Sequence, residues 1–485
     1  MKRAIAMISL LATACTTMEP KYARPDPAIP PSWPAGDTYL AEAEVGLPVL
    51  TYQQVFQDPR LQTLITQALA NNRDLMVAAS NISAAREQYR IQRADLLPTL
   101  NAAGGATVSG DKDGGTSANY QAGLTVPSFE IDLFGRVRSL THVQLERYLA
   151  TEAGARATRL TLVAAVATAW LTHASDVSSR QISEQTATAA QKSVQLTRLR
   201  LEGGVAPRTD LRQAEQILYA AQADVARQRT NVAQDVNALQ LLVGAPIDPK
   251  LLAGSIDEAF GKIAPVPAGL DSYVLLRRPD VLQAEYQLRS ANAQIGVARA
   301  ELFPRISLTG LLGFASSALA KLFTGGAFGW SVGADATYTI FQSGAGHANV
   351  RLSEAERNAA VATYQKTIQT AFREVSDALA RRGTINDEIS ARARQQAATA
   401  DTYMLTEARY RAGIDPFLTV LDAQRSYYVA QQAMVLTKLA AAQNIVDLYQ
   451  SIGGDTTLQA TPVCQALPGD MAATGVKPAS NCFPG

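Results

Sequence analysis

The chain has 485 residues, 47% hydrophobic and 18% charged, with a mean hydropathy of -0.03. That balance excludes a disordered chain and a helical membrane protein, and it leaves enough apolar residues for a large buried core. A formal net charge of +1 gives no global field to gather nucleic acid or an acidic substrate, and no dense basic cluster interleaved with aromatics occurs, which argues against a nucleic-acid partner.

The first fifteen residues read as an export signal. Lys2 and Arg3 supply the positive end, Ala4 to Ala12 an apolar run, and Ala12-Thr13-Ala14 small residues ahead of Cys15. The pattern resembles a lipoprotein signal, with an ordinary cleaved signal beside a cysteine as the competing reading. An acylated Cys15 would anchor the mature N-terminus by acyl chains instead of a spanning helix, and Thr16, where known lipoproteins carry Asp for inner-membrane retention, points to the outer membrane. The remaining cysteines, Cys464 and Cys482, lie in a C-terminal tail containing Pro and Gly. An even pair in an exported protein suggests a disulfide. A metal pair is the other reading, disfavoured because no His or further Cys lies near them.

After the signal no run of about 18 uninterrupted apolar residues occurs, so a transmembrane helix is not expected. Four stretches alternate with period two instead. Tyr120, Ala122, Leu124 and Val126 alternate with Asn119, Gln121, Gly123 and Thr125; Trp330, Val332, Ala334, Ala336, Tyr338 and Ile340 alternate with small or polar residues. Ile306, Leu308, Leu312 and Phe314 form a third set, and Leu100, Ala102, Ala106 and Val108 a fourth. The predicted strands pair as two hairpins, Thr99 to Ser109 with Asn119 to Phe129 and Arg305 to Ser316 with Gly329 to Phe341, each long enough for a tilted barrel strand. Four strands cannot close a membrane barrel, because a lipid-exposed edge leaves backbone groups unsatisfied. The chain must then oligomerise, and three copies would supply twelve strands. An ordinary soluble sheet would alternate too.

Between the hairpins the pattern is helical. Arg136 to Glu202 and His347 to Ala412 each contain no Pro and one Gly, in sequence rich in strong helix formers, and an uninterrupted helix of about 67 residues would run about 100 Å. Each long helix ends at a turn signal, Gly203-Gly204-Val205-Ala206-Pro207 or Gly413-Ile414-Asp415-Pro416, and the chain returns as a shorter helix. The last helix carries a stripe at Leu418, Leu421, Arg425, Tyr428, Gln432, Val435, Leu439, Ala442, Val446 and Tyr449, read as a coiled-coil seam. The whole pattern is written twice. Leu405 to Asp455 restates Leu196 to Ala245 at an offset of 209, Gly413 answering Gly204 and Pro416 answering Pro207. Arg93 to Pro98 is echoed by Arg299 to Pro304, so the duplicated unit spans most of the chain.

Three motifs, Ile131-Asp132-Leu133-Phe134-Gly135-Arg136, Arg277-Arg278-Pro279-Asp280-Val281 and Leu421-Asp422-Ala423-Gln424-Arg425, taken with the duplicated hairpins, resemble the TolC-like outer membrane factors of the lipoprotein NodT/OprM-type branch. The resemblance implies an α+β membrane protein, a homotrimer whose four strands per chain share a 12-strand outer-membrane β-barrel, continued by a long periplasmic α-helical barrel. It implies no enzyme and no cofactor beyond covalent lipid on Cys15. The implied role is the exit duct of a tripartite efflux pump, working with a periplasmic adaptor (membrane fusion protein) and an inner-membrane transporter, usually of the RND class, in contact with outer-membrane lipid. On this reading residues 1–14 are signal, 15–57 a lipidated extended segment, 58–98 the first helix, 99–134 hairpin one and 135–245 the first helical hairpin. An equatorial linker follows at 246–269, then the second copy's helix at 270–304, hairpin at 305–341 and helical hairpin at 342–455, and an equatorial tail at 456–485.

A duct needs a closed state, and the turns at Gly204 and Gly413 mark the tip. In similar proteins an Asp and an Arg of the second copy's returning helix, with a Tyr of the preceding helix, form the closing network; here these are Asp422, Arg425 and Tyr410. A charge at Arg425 within an apolar seam suits a register or switch role if partnered, while a solvated charge at a frayed helix end is the plainer reading. A second acid of some relatives is Thr419 here, leaving Asp415 as the nearby acid, and Gln213 takes the first copy's place of Asp422, with Asp210 and Glu215 on the same helix. The histidines His142, His173 and His347 are far apart, with no metal-ligand spacing. A periplasmic coiled-coil adaptor or stalk is the rival class, and the four strands weigh against it.

Overall fold

The computed structural model describes residues 17–34, 51–112, 115–265 and 272–454; the acylation candidate Cys15, the candidate disulfide pair Cys464 and Cys482, and the tail at 456–485 lie outside them. In chain order the elements are α1 (Tyr52–Val55), α2 (Pro59–Asn71), α3 (Arg73–Ala94), β1 (Asn101–Gly110), β2 (Thr116–Glu130), α4 (Arg136–Glu202), α5 (Arg208–Val243), α6 (Ile256–Phe260), α7 (Pro279–Ala300), β3 (Arg305–Ser316), β4 (Phe328–Thr337), α8 (Ala345–Arg411) and α9 (Phe417–Ser451). They group into two compact units, one of Met1–Pro27, Ser80–Ala153 and Asp280–Thr367 and the other of Ala28–Ala79, Gly154–Pro279 and Ile368–Gly485.

Both long helices run unbroken for 67 residues. By mean hydropathy α4 does contain an 18-residue window apolar enough to cross a membrane, but 67% of that window is buried within the fold. Val163, Val166, Ala167, Trp170, Leu171 and Ala174 are its core side chains. In place of one helix across 58–98 there are two. Asn72 adopts an extended ψ of 131°, its Nδ2 donates to Leu242 O at 2.9 Å, and its Oδ1 accepts from Leu75 N at 3.1 Å. One side chain thus ends α2 and caps α3, the local competition with helix that Asn makes available. At the other end of α2, Asp58 accepts from Arg60 N and Pro59 occupies the first helical position, a preorganised start.

In the first unit the sheet is antiparallel in the order β1-β2-β3-β4. The two hairpins are therefore fused through β2 and β3, from Tyr120 opposite Ser316 to Glu130 opposite Ser307. The register slips between Val126 and Phe129, where Pro127 has no N–H to offer the ladder. At the centre Gly123 faces Gly313; a Cβ on Gly313 would lie 2.5 Å from Ala122 O and 2.6 Å from Gly123 Cα. The strand expected to reach Phe341 ends at Thr337, because Thr337 pairs with Arg305, the first residue of β3. Among the described residues Tyr338, Ile340 and Phe341 have no partner strand, and all three are exposed. β1 and β4 are exposed throughout, including the apolar side chains of Val108, Trp330 and Val332.

The family-like motifs act as fasteners. In the first unit Asp132 Oδ2 accepts from Arg138 N at 2.9 Å, an acid at the positive end of α4, Gly135 takes a φ of 75°, and Phe134 stacks on Phe303 at 4.6 Å. In the second unit Arg278 donates to Ser451 O at 2.6 Å and to Glu374 at 2.9 Å, tying the start of α7 to the end of α9. Trp170, fully buried, donates to Leu251 O at 3.0 Å, and Phe56 packs edge-on against Tyr449 at 5.5 Å.

The close glycine pair makes a sharp test of the fused sheet. Gly313→Ala forces backbone displacement at the β2–β3 seam and is expected to cost several kcal/mol, whereas Gly104→Ala, whose nearest neighbour is 3.9 Å away, is tolerated. Protease resistance and heat-resistant assembly in outer-membrane fractions report both; equal behaviour of the two variants would refute the close-packed seam.

Candidate functional site

The helix tip is built from two matching turns. In the first, Gly204 has a φ of 73° and Val205 N donates back to Arg200 O; in the second, Gly413 has a φ of 76° and Ile414 N donates back to Arg409 O. These six-to-one bonds with a left-handed glycine are Schellman closures. No heavy atom would crowd a Cβ at either glycine, so the residue is required by the backbone conformation alone. Pro207 and Pro416 then sit at the N-caps of the returning helices.

Below the turns Ala190 and Val194 of α4, Ala214 and Leu218 of α5, Tyr410 of α8, and Phe417, Val420 and Leu421 of α9 pack into one apolar cluster. Tyr410 is 5% exposed, 5.1 Å from the Phe417 ring, with a buried hydroxyl that has no hydrogen-bond partner among the described residues. Burial raises its pKa; the Arg200 charge opposes this and the charge of Asp210, in the first turn of α5, adds to it, with a net upward shift. Arg200 lies over the Tyr410 ring at 4.7 Å and donates from Nη1 to Tyr410 O at 3.1 Å. Farther from the turns, the Tyr428 hydroxyl of α9 joins Ser183 of α4 and Asp224 of α5, both at 2.9 Å.

The polar residues of the tip are distributed differently from the sequence expectation. Asp422 and Arg425 do come together, with Nη1 4.0 Å from Oδ1, but both side chains are 66% exposed. Arg425 is therefore not set in the buried seam of its own chain. The expected stripe of α9 holds along most of its length, with Leu421, Val435, Ala442, Val446 and Tyr449 buried, but at the tip end Phe417, Val420 and Gln424 are buried and Leu418 and Arg425 lie outside. Tyr410 makes its contacts with Phe417 and Arg200. Asp415 is held by both forks of Arg409, at 2.7 and 2.9 Å, and those hydrogen bonds hold its pKa below the ordinary value. Glu215, nearly buried, pairs with Arg212 at 2.6 Å and Arg198 at 3.6 Å. Arg200 and Arg409 were not among the sequence candidates, although the 209-residue offset aligns them with each other.

In the first unit the extended segment after residue 17 is fastened by charge. Glu285 of α7, 3% exposed in its side chain, accepts from Arg24 at 2.7 and 3.1 Å, from Arg289 at 2.6 Å and from the Tyr22 hydroxyl at 3.3 Å. Burial pushes its pKa up, but the hydrogen bonds from Arg24 and Arg289 outweigh that and the net shift is downward. Asn292 donates to Pro20 O at 2.8 Å, and His142 of α4 bridges Glu19 at 2.8 Å and Glu146 at 3.1 Å. Bonds to Glu146 and then Glu19 raise His142 to about 10.

Residues 64–245 and 271–454 match the outer membrane efflux protein family. The chain belongs to that family. This outer membrane efflux protein is 42% identical over 459 residues to the probable efflux pump outer membrane protein TtgC of Pseudomonas putida, covering 93% of this chain and 94% of the relative. A solved membrane protein from Pseudomonas aeruginosa superposes with a TM-score of 0.84 at 37% identity, covering 90% of this chain and all of the other. The open state of the MtrE outer membrane channel of Neisseria gonorrhoeae superposes at 0.82 with 34% identity, covering 91% and 99%. The fold is thus the TolC-like α+β membrane fold, its place is the outer membrane with extension into the periplasm, and its role is that of an efflux channel protein, not an enzyme. The coiled-coil adaptor or stalk alternative falls with that membership.

The His142 bridge gives a pH test. Its folded pKa of about 10 lies above the ordinary 6.5, so its stabilisation is complete below about pH 6.5 and is lost as pH rises through about 10. The ring is 44% exposed, and solvent screening limits the effect to about 1 kcal/mol. Melting temperature should fall from pH 7 to pH 10 in the wild type and fall less in His142→Asn; parallel curves would remove the bridge from the ledger of the N-terminal segment.

Proposed function

We propose that three copies of the chain form the exit duct of a tripartite efflux pump, with a periplasmic adaptor and an inner-membrane transporter of the RND class as partners. The observation that carries the trimer is the four-stranded sheet with two free edges, β1 and β4, bearing exposed apolar side chains. In hydrocarbon those edges need partner strands, and identical copies supply them by pairing β4 of one with β1 of the next, giving twelve strands, within the range of such barrels. Lipid on Cys15 adds a second anchor and the surrounding outer-membrane lipid covers the barrel. Cys464 and Cys482 close a disulfide in the oxidising periplasm. The printed role of TtgC, an efflux pump component, supports the pump assignment.

The duct is closed at its tip. Asp422 and Arg425 face outward from the chain's own core, and their 4.0 Å pairing with each other is loose, so both remain available to neighbouring copies around the axis. Tyr410 supports the closed tip from within the apolar cluster, while Asp210, in the first turn of α5, and Asp415, in the second turn, are acids of the tip. Adaptor docking opens the tip by an iris-like untwisting of the inner helices. Exposed ion pairs are individually weak, so a gate made of them closes reversibly.

Reconstitution in planar lipid bilayers with mass determination tests this reading. The wild type is expected as a trimer of small, closed-state conductance, and Asp422→Ala with Arg425→Ala should raise conductance several-fold. A monomer without channel activity would overturn the duct, and unchanged conductance in the double variant would overturn the gate.

A further inference from the structure

We propose that Arg200 is an intrachain latch holding the two halves of the tip together in the closed state, and that Ala206 frees it for that task. The inference rests on the gated-duct reading and adds to it a residue and a mechanism that the pair Asp422 and Arg425 does not supply.

The argument starts from the duplication. At the offset of 209 residues Arg200 corresponds to Arg409, Gly204 to Gly413, Pro207 to Pro416 and Ala206 to Asp415. The two turns have the same backbone, with the same six-to-one bond accepted by the two arginine carbonyls. The arginine side chains nevertheless go to different places. Arg409 is neutralised inside its own turn by the two bonds to Asp415. Arg200 has alanine where that acid would stand, and an arginine with five donors does not stay idle beside a better acceptor.

Arg200 reaches instead across the repeat boundary. Its Nη1 donates to Tyr410 O at 3.1 Å and its guanidinium covers the Tyr410 ring at 4.7 Å. That carbonyl belongs to the last turn of α8, where a cation is favoured by the helix dipole, and it also accepts from Gly413 N. The ring beneath is nearly buried, so the cation–π contact forms against a fixed face. One side chain of the first copy thus grips the backbone and the aromatic anchor of the second copy one turn before the chain enters α9. A motion that separates the α8–α9 hairpin from the α4–α5 hairpin must break both contacts; a motion that carries the two hairpins together leaves them intact. The latch therefore resists differential movement of the halves and biases the tip toward closure. Arg200 is a positioning residue, acting through Tyr410 on the helix that carries Asp422 and Arg425.

The repeat itself supplies the test. Ala206→Asp gives Arg200 the in-turn partner that Arg409 already has, and should draw the guanidinium away from Tyr410 without removing any charge carrier from α4. In planar bilayers both Arg200→Ala and Ala206→Asp should raise the open fraction of the purified trimer, on the order of tenfold, the loss of one charge-assisted contact. Adding Ala206→Asp to Arg200→Ala should produce no further rise, the signature of a shared contact. Arg200→Lys, keeping charge without the fork, should fall between. Should Arg200→Ala fail to assemble, Ala206→Asp carries the test with the trimer intact. Wild-type open fraction in both single variants, while Asp422→Ala with Arg425→Ala opens the same channel, would overturn the latch and leave the duct standing. A wild-type protein without channel activity would overturn the duct reading and the latch with it.

Discussion

A β-sheet edge cannot be left bare in hydrocarbon, and this chain carries two of them. That constraint organises the rest of the molecule. It explains why the hairpins of the two copies are joined edge to edge through β2 and β3, with Gly123 and Gly313 allowing the backbones to approach, so that each chain presents one continuous four-stranded panel. It also explains why the helices are so long. Edges that must find partner strands need alignment from elsewhere in the chain, and two unbroken 67-residue helices are stiff enough to provide it. Helical propensity alone would not sustain them; the buried apolar face does.

Much of this was legible from residue pattern. The bounds of α4 could be read from the absence of Pro between Arg136 and Glu202, and the hairpins from alternation. The departures have physical causes that a linear pattern does not record. Asn72 sits within a helical pattern, and only its bond to Leu242, 170 residues away, makes a break there favourable. The alternation of β4 continues through Tyr338 and Ile340, but a strand ends where its partner begins, and that partner begins at Arg305. On α9 the stripe holds along most of its length from Leu421 through Tyr449, but steps of three and four leave two adjacent faces open at the tip end, where packing against α4 and α5 buries Phe417 and Val420 in place of Leu418. The tip turns were identifiable from Gly and Pro; the direction of the arginine beside each was not, because it depends on a single residue, Ala206 or Asp415.

Charge buried far from the tip follows another logic. Glu285 stands deep in the first unit and is satisfied by a segment 261 residues earlier in sequence. Leaving that carboxylate unpaired would be costly, so the arginines and tyrosine around it specify where the N-terminal segment lies as firmly as a hydrophobic seam would. His142 adds a second clasp between the same segment and α4. The stretch from Glu19 to Arg24 is thereby part of the folded body, its path set by ion pairs and hydrogen bonds.

The residues just outside the sheet carry a consequence for immersion depth. Beyond one end of β4 lie Tyr338, Ile340 and Phe341, and at the other end stand Phe328, its first residue, and Phe323 of the β3–β4 connection, all of them exposed. Outer-membrane barrels carry girdles of aromatic residues at both membrane interfaces. In the proposed barrel, rings at both ends of the ten-residue β4 would act as floats that fix the waterline of the protein. A bilayer of different thickness would then have to stretch or thin around it, so the lipid adapts its chain packing to the protein and the protein keeps its vertical station.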